Sequence, residues 1–385
     1  MQLNPIYREM GLTIFEHMSG LCRDGSRINL GQGFPDDFGL PELREAAMRA
    51  LRDRSSQYPP MAGVPELRAA LSEYYAAAQG LQTTPDHFIV TSGATEALAA
   101  AILAVVRPGD EVLLFAPAYD LYAPAVRRAG GVPVFVPLRA PHWRYVEAEI
   151  AAAITPRTAA LILNDPLNPT GSVASEGELA MLARLCTAHD LTAICDEVWE
   201  AVRFEGPAHR SLLSFPGMAQ RAIKIGSAGK LFGLTGWKIG WLCADPALAK
   251  VLGRAHQFLT FTTMPATQYA VAEGLARPEL LEAQRTKWAA SREVLNRLLT
   301  EAGFVLLPAP ATWFSCVDLA ASGIALTAAD FSERAVQEAL VATIPLSAFL
   351  EPGEDSTIVR LCHCKDEAML AEGVRRLAAF RDALA

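Results

Sequence analysis

The sequence is poor in charge and has no concentrated block of it. Only 20% of its 385 residues are Asp, Glu, Lys or Arg, and the formal net charge is -8. No basic run exceeds Arg375-Arg376, so the chain lacks the electrostatic footprint of a nucleic-acid binder. No uninterrupted apolar run approaches the roughly 18 residues of a membrane span. The opening MQLNPIYREMG has no basic stretch followed by an apolar one, so no secretory signal is expected. Cysteines number seven and are scattered. Cys362 and Cys364 flank His363, but no second ligand pair has zinc spacing. No metal is expected, and the thiols read as buried groups in a reducing cytoplasm. Repeats and low-complexity segments are also missing.

What is present is 51% hydrophobic, the composition of a well-buried globular protein. At this length two lobes are the default. Residues 1–40 read as an arm with a helical stretch over Thr13–Leu21, followed by the turn-rich INLGQGFPDDFG. Helices follow at Leu43–Arg52 and Pro65–Gln79, separated by SSQYPPMAGV, which carries Tyr58. From His87 onward short apolar runs alternate with helical stretches: HFIVTS, EVLLFAP, VPVFVPL, AALILND, LTAICDEV and AIKIGSA. Such alternation predicts a mainly parallel sheet covered on both faces. After Trp241 it stops. A long helix over Pro278–Ala302 leads into strand-like GFVLLP, TWFSCVDL, VATIPLSAF and STIVRLCHC, an α+β pattern.

Ligand sites in parallel sheets collect at the C-terminal strand ends, and polar residues gather there. SGATEAL follows a strand and opens a helix. Its unpaired N–H groups and positive dipole would seat a phosphate, although Thr95 could equally be an N-cap. Tyr119 could stack on a planar ring or simply pack. Asn164 and Asn168 lie in the turn NDPLNPTG, which turn formation alone would explain. Asp196 ends an apolar strand, where a carboxylate needs a partner. That partner could be a protonated pyridine nitrogen or a helix end. Arg360 in TIVRLC suits a substrate carboxylate or an internal acid.

The stretch IGSAGKLFGLTGWKIGW, Ile225–Trp241, holds Lys230 in a small-residue loop and Lys238 eight residues later. A desolvated lysine has a lowered pKa, and the free amine attacks aldehydes. Two solvated lysines on a surface loop would be the ordinary alternative.

In order along the chain, INLGQGFPD, QYPPMAGVPELR, VTSGATEAL, APAYDLYAP, NDPLNPTG, ICDEVWE, SAGKLFGLTGWKIGW and TIVRLC make the sequence resemble fold-type-I pyridoxal-phosphate aminotransferases of class I/II. It is most similar to the kynurenine/glutamine and methionine aminotransferase branch. The resemblance implies a PLP-binding domain with a mainly parallel seven-stranded sheet over residues 41–280. It also implies a smaller C-terminal α+β domain over 281–385, which residues 1–40 join. Lys230 would form the Schiff base and move the substrate proton. Asp196 would pair with the pyridine nitrogen, Tyr119 would stack on the ring and Asn168 would bond the ring oxygen. Gly93, Ala94, Thr95, Ser227 and Lys238 would hold the phosphate, with Tyr58 arriving from the second subunit of a homodimer. Gly33, Asn168 and Arg360 would bind the substrate carboxylate. The implied activity moves the amino group of a neutral L-amino acid to a 2-oxo acid through pyridoxamine phosphate. Elimination from cysteine S-conjugates, a C–S lyase activity, is the alternative on the same residues. A cofactor-binding gene regulator would need a DNA-binding module for which the chain has neither length nor basic surface.

Two positions depart from the family pattern. Trp199 replaces a usual tyrosine that donates to the ring oxygen, and an indole can donate but cannot accept or ionise. In NDPLNPTG, Asp165 and Leu167 replace smaller or more polar residues. Asp165 is expected to add negative charge near the site and to disfavour aspartate and glutamate.

Overall fold

In the computed structural model, residues 1–8 and 10–384 are described. The apolar runs form one seven-stranded sheet. Its order is Phe88–Thr91, Gly240–Cys243, Ala222–Ser227, Thr192–Asp196, Thr158–Asn164, Glu111–Ala116, Val132–Pro137. Gly240–Cys243 runs antiparallel to both neighbours, and the remaining pairs are parallel. Six strands are buried along nearly their whole length, which explains their continuous rather than alternating hydrophobicity. One apolar core packs helix Ala94–Val105 against one face. A second packs helix Glu176–Ala188 against the other. The latter helix starts at a capping box in which Ser175 and Glu178 satisfy each other's backbone N–H groups.

Two helices that the sequence pattern did not reveal, Pro246–Gln257 and Pro265–Leu275, follow the antiparallel strand. The 24-residue helix Pro278–Glu301 then leads to a four-stranded antiparallel sheet in the order Ile344–Pro345, Ile358–Cys362, Phe314–Asp318, Val305–Leu306. Helices Ala328–Arg334 and Glu367–Leu384 pack on a shared core with it. Ile28–Asn29 pairs in parallel with Val341–Ala342, so the segment before residue 40 joins this second region. Among the described residues, no helix is long and apolar enough to cross a membrane.

Candidate active site

A cavity of about 610 Å³ opens at the C-terminal ends of the parallel strands. Thr91, Ala116, Asn164, Asp196 and Ser227 are the last residues of five strands, and the loops beyond them form most of its wall. The reversed strand contributes because its start lies at the same edge, Gly240 being paired with both Thr91 and Ser227. Of the residues singled out from the sequence, Gly33, Gly93, Ala94, Thr95, Tyr119, Asn168, Asp196, Trp199, Ser227, Lys230, Lys238 and Arg360 all line the cavity. Tyr58 does not.

The anion-binding end is built from close backbone approach. Gly93 is the N-cap of helix Ala94–Val105 at φ 80°, so Thr95 lies inside the first turn and is not the cap. Lys238, itself left-handed at φ 55°, turns toward it. A Cβ on Gly93 would lie 3.2 Å from the Lys238 ammonium nitrogen. A Cβ on Gly240 would come within 2.5 Å of the Gly93 carbonyl carbon and 2.6 Å of the Ala94 nitrogen. Glycine at both places leaves helix N–H groups and one ammonium facing a common cradle, which fits a phosphate. Beneath it, Glu96 accepts from the Ser92 N–H at 2.5 Å and contacts His256 Nδ1 at 2.6 Å. His256 Nε2 reaches the Met61 carbonyl at 3.0 Å. This support ties the cradle to the loop carrying Tyr58, and no local motif announces it.

Lys230 is part-buried on the opposite wall. Burial lowers its amine to about 8, so a large neutral fraction is present near neutral pH. Nζ lies 4.8 Å from the Trp199 ring and 4.9 Å from the Trp313 ring, and it contacts the Gly33 carbonyl at 3.4 Å. The tryptophan at position 199 therefore presents its face to the amine. Its ring is also clamped edge-on by Trp313 and Phe314. No carboxylate pairs with Lys230 among the described residues, as a nucleophilic amine requires.

Asp196 is buried, and burial raises its carboxyl to about 6. The Tyr122 hydroxyl donates to Oδ2 at 2.7 Å and opposes that shift. Asn164 Nδ2 donates to the Asp196 backbone carbonyl at 2.9 Å, and Asn164 Oδ1 accepts from the Asn168 N–H at 2.8 Å. Among the described residues Asp196 forms no salt bridge, and a desolvated carboxylate on the cavity wall suits a protonated ring nitrogen. Tyr122 lay unremarked in APAYDLYAP, since only tertiary packing brings it to Asp196.

Arg360, expected to meet either a substrate carboxylate or an internal acid, is buried and lines the cavity. Among the described residues it forms no salt bridge. Nη1 donates to Asn168 Oδ1 at 2.8 Å and Nη2 to the Gly31 carbonyl at 2.7 Å, while Nε has no partner. Phe314, Phe15 and Phe349 lie 3.9, 5.1 and 5.3 Å from its carbon centre. Neutral groups and ring faces hold the guanidinium, an environment that suits a ligand carboxylate.

Asp165 requires a correction. It does not reach the cavity, because successive residues at the strand end point to opposite sides. Asn164 takes the cavity side and Asp165 the far one. There Asp165 accepts from the Ala174 N–H at 2.7 Å and lies 3.7 Å from His209. It edges a buried charge cluster in which Lys224 bonds Glu197 and Glu200, the latter at 2.5 Å. Glu197 also contacts His209 at 2.9 Å. Burial opposes ionisation of Glu197, but Lys224 and His209 outweigh it and hold the carboxyl at about 2. The Glu197, Glu200 and His209 ligand atoms lie within 4.8 Å of one another, as a metal site would need. Lys224 already supplies positive charge to both carboxylates.

The cradle, the unpaired amine, the partner-seeking carboxylate and the free guanidinium together fit pyridoxal phosphate bearing an amino acid. Comparison with known proteins agrees. Residues 26–377 match the model of aminotransferase class I and II. Methionine aminotransferase of Escherichia coli K12 is 38% identical over 371 residues, 96% of each chain. Kynurenine–oxoglutarate transaminase of Dictyostelium discoideum is 32% identical over 401 residues, covering 94% of this chain and 92% of its own. The solved structure of N-succinyldiaminopimelate aminotransferase from Mycobacterium tuberculosis superposes with a TM-score of 0.94 at 39% identity. It covers 98% of this chain and 100% of that one.

Proposed function

This chain belongs to the class I and II aminotransferases, which are pyridoxal-phosphate enzymes, and on that premise we propose that it transfers the amino group of an L-amino acid with an uncharged side chain to a 2-oxo acid. The side chain is apolar, aromatic or sulfur-containing. The observation carrying this reading is one cavity-lining guanidinium without a salt bridge among the described residues, Arg360, set among Phe15, Phe314 and Phe349. A methionine aminotransferase among the relatives supports it.

When bound, the cofactor supplies the carbonyl that takes up the amino group and the ring that delocalises charge left at the α-carbon. Gly93, Ala94, Thr95, Ser227 and Lys238 would hold its phosphate. Asp196 would keep the ring nitrogen protonated, Tyr119 would pack against the ring, and Asn168, whose side-chain oxygen accepts from Arg360, would donate to the ring oxygen. Gly33 would contribute backbone beside the substrate carboxylate. Lys230 would hold the cofactor through its neutral amine and would carry the proton from the substrate α-carbon, with the faces of Trp199 and Trp313 stabilising the ammonium it becomes. The exposed Tyr58, 83% accessible and edge-on to Phe261, reaches the phosphate of a second copy in a homodimer. Seven free thiols suit a reducing cytoplasm.

The test is a half-reaction. Cofactor-loaded protein is mixed with a panel of amino acids and a cysteine conjugate, without any oxo acid. One equivalent of 2-oxo acid per subunit, with bleaching of the visible cofactor band, supports transamination. Continuous ammonia and pyruvate from the conjugate would make the protein a C–S lyase instead.

A further inference from the structure

Amino transfer uses none of the seven free thiols, yet two of them touch. Among the described residues Cys362 and Cys364 alone bring their sulfurs into contact, at 3.1 Å. Strand Ile358–Cys362 ends at the first of them. The Lys365 N–H then bonds the His363 carbonyl at 2.8 Å, a three-residue turn centred on Cys364 that brings the second sulfur back onto the first. Both thiols are buried, in the apolar core that also holds Trp199, Trp313 and Phe314. Those rings surround Lys230 and Arg360.

The same segment fixes the substrate end of the cavity. Arg360 Nη2 donates to the Gly31 carbonyl at 2.7 Å, the Cys362 N–H to the Leu30 carbonyl at 2.6 Å, and Lys365 Nζ to the Phe34 carbonyl at 3.0 Å. The loop bearing Gly33 is thereby tied to the strand bearing Arg360. Burial opposes ionisation of Cys362, but the Cys364 thiol, Lys365 and Arg360 outweigh it and hold Cys362 below the usual thiol range. Burial and the facing sulfur keep Cys364 protonated. A thiolate against a thiol is the pair that a peroxide converts to a disulfide.

We propose that Cys362 and Cys364 are a redox modification site: a small peroxide oxidises them to a disulfide, and the bridge displaces Arg360 and loop 30–34 so that a substrate carboxylate binds more weakly. The effect on substrate rests on the aminotransferase reading, whereas the oxidation does not. The Cys362 sulfur attacks one peroxide oxygen, the O–O bond breaks, and one water leaves behind a sulfenic acid. The Cys364 sulfur then attacks that sulfur and displaces its oxygen as a second water. One S–S bond forms, both thiol protons end in water, and two electrons pass from sulfur to peroxide. The sulfurs must approach further to bond, and a bridge spanning only His363 leaves the backbone to take up the change. In a compartment that keeps thiols reduced, such a bridge is transient and is reversed by a dithiol.

The test treats cofactor-loaded protein with hydrogen peroxide, then alkylates it and maps its peptides by mass. The peptide carrying Cys362 and Cys364 should escape alkylation and be lighter by two hydrogens. In parallel, pentanoate, a monocarboxylate without an amino group, is titrated and its binding read from the cofactor's visible spectrum. Oxidation should weaken it at least ~10-fold, the scale of one lost charge-assisted contact. It should also raise KM for a reactive amino acid more than it lowers kcat, and dithiothreitol should restore both. Cys364→Ser should match the reduced natural protein and stay unmoved by peroxide. Three results would each overturn the proposal: no bridge under conditions that oxidise the part-buried Cys22, a bridge that leaves pentanoate binding unchanged, or an equal loss in Cys364→Ser. If that variant does not fold, Cys364→Ala takes its place, and the natural protein's bridge and reversible loss of affinity decide if neither does. Failure of the aminotransferase reading would appear separately, as no turnover of any amino acid before peroxide is added, while the bridged peptide still reports on the dithiol.

Discussion

Removing one oxygen from Tyr122 probes the role of Asp196 directly. In Tyr122→Phe the ring keeps its packing in the core beneath the cavity, but Asp196 Oδ2 loses the hydroxyl that donates to it at 2.7 Å. A buried hydrogen bond to a charged acceptor is worth about 1.5–3 kcal/mol. Burial holds the Asp196 carboxyl at about 6 even with that bond in place. At about 1.36 kcal/mol per pKa unit, losing the bond raises the carboxyl by about one to two further units. At neutral pH a substantial part of Asp196 would then be protonated and unable to hold a cationic ring nitrogen. The assay is titration of cofactor-free protein with pyridoxal phosphate across the range from about pH 5 to about pH 9. Taking variant against natural protein cancels the cofactor's own ionisations. We expect affinity to fall about 2- to 10-fold near pH 7 and about 10- to 100-fold near pH 5, with the acid limb displaced to higher pH and the gap closing by about pH 9. A uniform loss at every pH, with the limb unmoved, would mean that Tyr122 only fills space and would refute the argument.

Lys230→Ala should keep its fold and lose at least ~10³-fold in turnover, since both nucleophile and proton carrier go. Ordinary activity, or retention of the covalent cofactor's visible band, would refute the lysine assignment. Arg360→Lys should raise KM for the amino acid about 30-fold with a smaller change in kcat, because a point charge cannot form the two-pronged contact. An unchanged KM would return Arg360 to a packing role. Gly240→Ala should weaken cofactor binding at least ~10-fold, because its methyl would meet the backbone at Gly93 and Ala94. Isothermal titration with pyridoxal phosphate reads this, and unchanged affinity would mean the cradle does not hold the phosphate. Asp165, raised by burial from 3.8 to about 6, contributes stability that is present below the unfolded value and lost as pH rises through about 6. That loss is roughly 3 kcal/mol, and Asp165→Asn lacks it. The variant's melting temperature relative to the natural protein should therefore climb between about pH 4 and about pH 7, whereas a constant difference would refute the linkage.

What the sequence revealed, and what it hid, follows from how each residue reaches the cavity. Gly93, Asn168, Asp196 and Lys230 were legible because a parallel sheet delivers strand ends to one edge, so a local motif after a strand already implies a shared site. Lys238 was legible as a motif, but its arrival depends on the reversed strand Gly240–Cys243 starting at that same edge. Tyr122 stands three residues after Tyr119, yet its partner Asp196 is 74 residues further on, and tertiary packing, not a spacing rule, connects them. Asp165 was assigned to the wrong side because composition registers its charge while the direction of its side chain depends on the pleat. Helix Pro265–Leu275 was hidden for another reason. Eight of its eleven residues are buried, so no polar stripe marks a helical period. Helix Pro246–Gln257 did carry a start signal, Asp245 capping the Ala247 N–H with proline at the first helical position. The charge cluster around Lys224 lies deepest: a lysine inside an apolar strand points to buried acids, but which acids they are is settled only when Glu197 and Glu200 fold beneath it. Cavity-lining motifs thus read locally, whereas the residues that set their charge and direction read only through contact.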